Sequence, residues 1–142
     1  MRRFFTTVAV AMAAVMSFTM CNTKTEKIPV NSTWKLEKFD NAGSAVTIPV
    51  EATVTISFLD SARLAGSASC NSYFGDYKVG EEGTVTLNPV GMTRMASPFG
   101  LDENQYVNAL AKLNKYTLTG ETLTMFNDKE GIVMVFSKES EK

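Results

Sequence analysis

Apolar residues recur at every second position through most of this chain, and that spacing limits the fold more than any other feature. Trp34 and Leu36 alternate with Lys35 and Glu37, and Val54, Ile56 and Phe58 alternate with Thr53, Thr55 and Ser57. Successive side chains of a strand point to opposite faces, so such runs describe strands with one face on a core and one toward water. The pattern returns at Val85 and Leu87, at Tyr116 and Leu118, and at Leu123 and Met125, with threonines on the wet face. Ile132 to Phe136 is apolar on both faces and predicts a strand covered on both sides. Thr119 to Thr122 and Asn127 to Gly131 carry turn chemistry, so the last three strands read as a meander.

One segment departs from this period. Between Asp102 and Asn114, Tyr106, Ala109, Leu110 and Leu113 fall at helical spacing, and Asp102 with Gln105 three residues on resembles a capping box. About eight short strands and one amphipathic helix give a mainly β class: a small antiparallel, β-barrel-like sheet whose open side the helix covers. No internal repeat and no second domain is visible.

Met1-Arg2-Arg3 followed by the apolar run Phe4 to Met20 has the plan of a signal peptide. The run is shorter than the about 20 residues a spanning helix needs, so residues 1–20 read as a leader. Cys21 stands where the apolar run stops and a polar stretch begins, the position of a lipoprotein's acylated cysteine. The preceding Phe18-Thr19-Met20 lacks the small residues such leaders usually place there. On this reading 21–31 is a lipid-anchored linker reaching about 30 Å when extended, 32–138 the folded domain and 139–142 a polar tail. The protein then belongs to the cell envelope, anchored to the outer membrane or a periplasmic face; the alternatives are a secreted soluble form and an uncleaved anchor.

Composition removes whole function classes. There is no histidine, which excludes imidazole as base or metal ligand, and only two cysteines, Cys21 and Cys70. Losing Arg2 and Arg3 with the leader leaves 12 basic against 15 acidic residues. That balance, with no basic run among aromatics, argues against a nucleic-acid partner. Nothing in the sequence calls for a cofactor or metal, and no residue is assigned a catalytic role.

The least ordinary stretch is Leu64-Ala65-Gly66-Ser67-Ala68-Ser69-Cys70-Asn71-Ser72-Tyr73-Phe74-Gly75-Asp76-Tyr77, followed by Gly91-Met92-Thr93-Arg94-Met95-Ala96-Ser97 just before the helix. Together with the Trp34-Lys35-Leu36 opening and the closing strand ending in Phe136, these motifs resemble the META domain family, the HslJ-like group. The resemblance covers nearly the whole mature chain. It implies a small antiparallel barrel-like domain with one helix, often found in envelope lipoproteins and in some members linked to heat shock, with no established catalysis. Ser69 stands where the family has glycine, and Ser97 where it has a second cysteine, so no bridge between the motifs can form here.

Asn71, Tyr73, Tyr77 and Arg94 are the candidate surface for a ligand or partner, since aromatics and arginine dominate binding hot spots. The competing expectation is structural: Asn71 capping backbone groups, the tyrosines packed with satisfied hydroxyls, and Arg94 paired with an acid such as Asp76. The parity of Cys70 with Leu64, Gly66 and Ala68 predicts a buried, inert thiol. Asp60, Asp76, Asp128 and Glu130 are the carboxylates in loop-like settings, with Asp128 to Gly131 read as a turn. The functional expectation is a noncatalytic, stress-related binding module whose partners are the membrane, through the anchor, and an unidentified protein or small molecule. The alternative is a barrel holding a hydrophobic or lipid-like ligand.

Overall fold

A computed structural model describes residues 25–140; the leader and Cys21 lie outside the described residues. The strands are β1 (Ser32–Asn41), β2 (Ser44–Val46), β3 (Thr55–Phe58), β4 (Arg63–Ser67), β5 (Ser72–Val79), β6 (Val85–Met92), β7 (Lys115–Thr119), β8 (Thr122–Asn127) and β9 (Ile132–Lys138), with one helix, α1 (Glu103–Leu110). They form one antiparallel sheet in the order β6-β5-β4-β3-β1-β9-β8-β7, with β2 hairpinned onto β1. Two meanders, β3 to β6 and β7 to β9, are joined through β1, which pairs with both β3 and β9. The sheet curls until its two ends touch, where Thr84 bridges Lys115 and the Val85 N–H donates to the Asn114 carbonyl at 3.1 Å. The result is the expected mainly β, barrel-like sheet with one short helix.

The alternating residues take the inner face as their period requires. Trp34, Leu36, Val54, Ile56, Phe58, Val85, Leu87, Tyr116, Leu118, Leu123 and Met125 are all buried in one core. In β1 the register slips between Leu36 and Lys38, so Glu37 and Lys38 both face water and Phe39 turns inward. A bulge moves parity by one residue, which keeps a ten-residue strand apolar inside through its whole length. β9 is less covered than expected: Val133 and Val135 are only half-buried, while Ile132, Met134 and Phe136 are fully inside.

Helix α1 lies between β6 and β7 in the chain and packs Tyr106, Ala109 and Leu110 into the core, with Tyr106 edge-on to Phe39 at 6.2 Å. The Asp102 side chain accepts the Gln105 N–H at 3.0 Å, the capping bond its spacing predicted. The helix is shorter than the periodic stretch, and Leu113 is buried from the turn that follows it. Among the described residues no helix is long and apolar enough to cross a membrane.

The segment expected as free linker lies on the barrel from Thr25 onward. Ile28 is buried in the core, the Asn31 N–H donates to the Phe58 carbonyl at 2.6 Å, and the Asn31 carboxamide accepts from the Asp60 N–H at 3.2 Å.

Candidate functional site

The two motifs meet at one end of the β5–β6 hairpin, and the residue that joins them is Asn71. Its side-chain carbonyl accepts from the Met95 N–H at 2.6 Å and from the Thr93 hydroxyl at 3.0 Å. Its amide donates to the Met95 carbonyl at 2.9 Å and to the Glu103 carboxylate. The other Glu103 oxygen accepts the backbone N–H groups of Cys70 at 2.5 Å and Asn71 at 3.0 Å. Both side chains are buried, Asn71 at 3% and Glu103 at 7% exposed. Burying a carboxylate is tolerable only with such a full set of donors. The bend before β5, the loop after β6 and the first turn of α1 are thereby tied into one lock, so Asn71 plays the structural part.

Tyr73 is also inside rather than on a surface. Its hydroxyl donates to the Thr55 carbonyl at 2.7 Å. With that proton committed, the contact at 3.2 Å with Tyr106 has Tyr106 donating to Tyr73. Burial pushes the pKa of both hydroxyls up, and for Tyr73 the nearby Tyr106 pushes it further. The Tyr73 ring reaches Thr55 across Gly66, where any Cβ would collide with the Tyr73 ring and the Thr55 carbonyl. Gly75 meets the same constraint against Asn88 and Pro89, where β5 faces the bulge that leaves Val90 unpaired on β6.

Tyr77 is half-buried near the other end of β5, edge-on to Phe58 at 5.0 Å, with its hydroxyl donating to the Leu59 carbonyl at 3.1 Å. Burial raises its pKa, helped by the charge of Asp60. Arg94 is exposed and makes no ion pair among the described residues. Asp76 instead accepts from the Asn88 amide at 3.2 Å on the outer face, so the Arg94 to Asp76 pairing does not form. The four candidates are therefore not one surface: two lie inside, and the others belong to different parts of the wall.

Cys70 departs from its expected burial. It is half-buried, a free thiol with its Sγ 3.6 Å from the Ala96 carbonyl. The parity argument fails because Ser69 has φ +103°, which breaks the strand after Ala68. The buried Ser69 hydroxyl has no hydrogen-bond partner among the described residues. Of the loop carboxylates, Asp60 pairs with Arg63 at 3.4 Å and Glu130 with Lys112 at 3.6 Å. Asp128 is exposed in the turn that Asn127 organises by accepting from the Lys129 and Glu130 N–H groups. Among the described residues no three cysteine, aspartate or glutamate side chains gather in a cluster that could hold a metal.

Glu103 and Thr93 complete the lock without having stood out as candidates in the sequence. Glu103 carried a signal: it lies three residues before Tyr106 and seven before Leu110, an acid on the helix's apolar stripe. Outside the lock, Phe74, Val90 and Met95 are 56%, 62% and 59% exposed, large apolar groups at the same end of the β5–β6 hairpin.

A family model described as META domain matches residues 26–141. Among solved structures, a DUF4847 family protein from Bacteroides vulgatus superposes with a TM-score of 0.59 at 14% identity, over 80% of this chain and 96% of its own. A protein solved by NMR superposes with a TM-score of 0.50 at 21% identity, over 75% of this chain and 88% of its own. At such identities these two share the fold alone. No curated protein matches the chain.

Proposed function

Since the chain belongs to the META domain family, we propose that it is a noncatalytic envelope lipoprotein whose domain acts as a stress-related interaction module at the membrane surface. The observation that carries this reading is the division of labour around the lock. The motif polar groups, Asn71 and Glu103, are satisfied within the molecule, whereas Phe74, Val90 and Met95 stay exposed nearby with Arg94 exposed and unpaired among the described residues. Exposed apolar groups with an unpaired arginine suit protein recognition more than chemistry. The complete lack of histidine supports the same reading. A hydrophobic ligand inside the barrel is disfavoured, because Trp34, Phe39, Phe58, Tyr73, Tyr106 and Phe136 occupy the interior at 0–1% exposure.

Two experiments test the two halves of the proposal. Radiolabelled palmitate should enter the full chain and be lost in Cys21→Ala; no incorporation, or incorporation that survives the substitution, removes the anchor. A photo-crosslinking amino acid at position 74 or 95 should give discrete protein adducts in cells, and one at the exposed Thr117 should not. Adducts equal at all three positions, or none at 74 and 95, would count against the recognition surface.

A further inference from the structure

The segment that precedes β1 is held on the barrel from Thr25 onward, which shortens any tether that starts at Cys21. Ile28 is 8% exposed within the core, Ser32 Oγ donates to the Pro29 carbonyl at 2.5 Å, and Asn31 is bonded at both its backbone and its side chain. Further back, Thr25 lies against the β5–β6 turn, its Cγ2 3.6 Å from where a Cβ on Gly83 would stand. Thr25 and Lys27 border an open groove of about 1000 Å³ with Gly80, Glu81 and Tyr116. Counted back from Thr25, the first described residue, the four steps of chain to Cys21 cover at most about 14 Å.

We propose that the domain is held with the Gly80–Thr84 turn against the lipid headgroups, while the Ser72–Met92 end, carrying the motif lock and Phe74, points away from the bilayer. This rests on the acylation of Cys21 proposed above. Along β5 the distance from Val79 to Ser72 is about 24 Å, longer than the reach from Thr25 to Cys21, so a bilayer holding Cys21 borders the turn and leaves the other end in solution. Between the two ends the outer face of the hairpin carries Asp76, Lys78, Thr86 and Asn88, all exposed. That stretch of wall offers lipid no apolar strip, and the hairpin's large exposed apolar groups, Phe74 and Val90, lie only toward its far end. The exposed Phe74, Val90 and Met95 are then presented to partners in the envelope space rather than to the lipid that anchors the protein.

The test uses the full chain purified from bacterial membranes with its own anchor and reconstituted in phosphatidylcholine vesicles carrying a headgroup nitroxide. A fluorophore is placed through an unnatural amino acid at position 81 or at position 94. Quenching should be at least about threefold stronger at 81 than at 94, given their separation along the hairpin. Inserting twelve Gly/Ser residues between Lys24 and Thr25 should erase most of that difference, because the added contour of about 43 Å exceeds the length of the hairpin and lets the domain turn over. Equal quenching at the two positions, or stronger quenching at 94, overturns the orientation. Failure of the protein to float with the vesicles overturns the anchor itself, so the two failures are told apart by flotation.

Discussion

Ser69→Gly should stabilise this protein, and the structure supplies both reasons. Ser69 has φ +103°, a region that L side chains rarely adopt, and its buried hydroxyl has no partner. Residues held in such conformations store about 1–3 kcal/mol, and an unsatisfied buried hydroxyl costs about 1–3 kcal/mol. Glycine removes both and loses about 0.5–1 kcal/mol through the greater freedom of the unfolded chain. A net gain of about 2 kcal/mol is expected, a rise of about 8 °C in Tm for a domain of this size. Ser69→Ala separates the two causes: it removes the hydroxyl but keeps the strain, so its gain should be about 1 kcal/mol. Urea denaturation followed by the fluorescence of the single, buried Trp34 gives both numbers. A Ser69→Gly variant no more stable than the parent would show that neither the strain nor the unpaired hydroxyl costs stability here. The hydrogen bonds that Ser67 Oγ makes to the Ser69 backbone survive either change, so they do not blur the comparison.

Other outcomes follow from the same geometry. Gly66→Ala should cost about 3 kcal/mol in urea denaturation, since its Cβ meets the Tyr73 ring and the Thr55 carbonyl. Tyr77→Phe should cost about 1 kcal/mol, the worth of its bond to the Leu59 carbonyl, whereas Arg94→Ala should change stability by under about 0.5 kcal/mol because the guanidinium is exposed and unpaired. The raised pKa of Tyr73 and Tyr106 has a pH signature. Above pH about 10 the unfolded chain releases these protons and the native state keeps them, so stability is full below that pH and falls above it by about 1.4 kcal/mol per pH unit for each tyrosine. Urea midpoints at pH 9 and pH 11 should show the fall, and Tyr106→Phe should flatten its slope.

The inner face of the barrel was legible because burial acts residue by residue: each period-two apolar position named from the sequence lies in the core. The capping bond of Asp102 was legible for the same local reason. What the sequence concealed depends on backbone geometry and on distant partners. Cys70 shares parity with Ala68 on paper, but the positive φ at Ser69 turns it out of the strand. Tyr73 and Tyr77 both face inward, yet Tyr73 is sealed beneath α1 and Tyr77 sits near the less covered end. Arg94 does not pair with Asp76, because Asp76 points outward beside Asn88. The family motifs were recognisable as a pattern, but their shared purpose rests on Glu103, which no local rule connects to a bend more than thirty residues earlier. The linker shortened for a similar reason, since only the folded barrel offers Ile28 a core to enter.

In this molecule the two motifs form an internal lock that joins strand bend, loop and helix. A double-mutant cycle between Asn71 and Glu103 tests it most directly, with Asn71→Ala, Glu103→Ala and the double variant compared by urea denaturation. Each single change should cost about 3 kcal/mol and the pair little more than either, giving a coupling of about 2 kcal/mol. Costs that simply add, with coupling near zero, would contradict the lock.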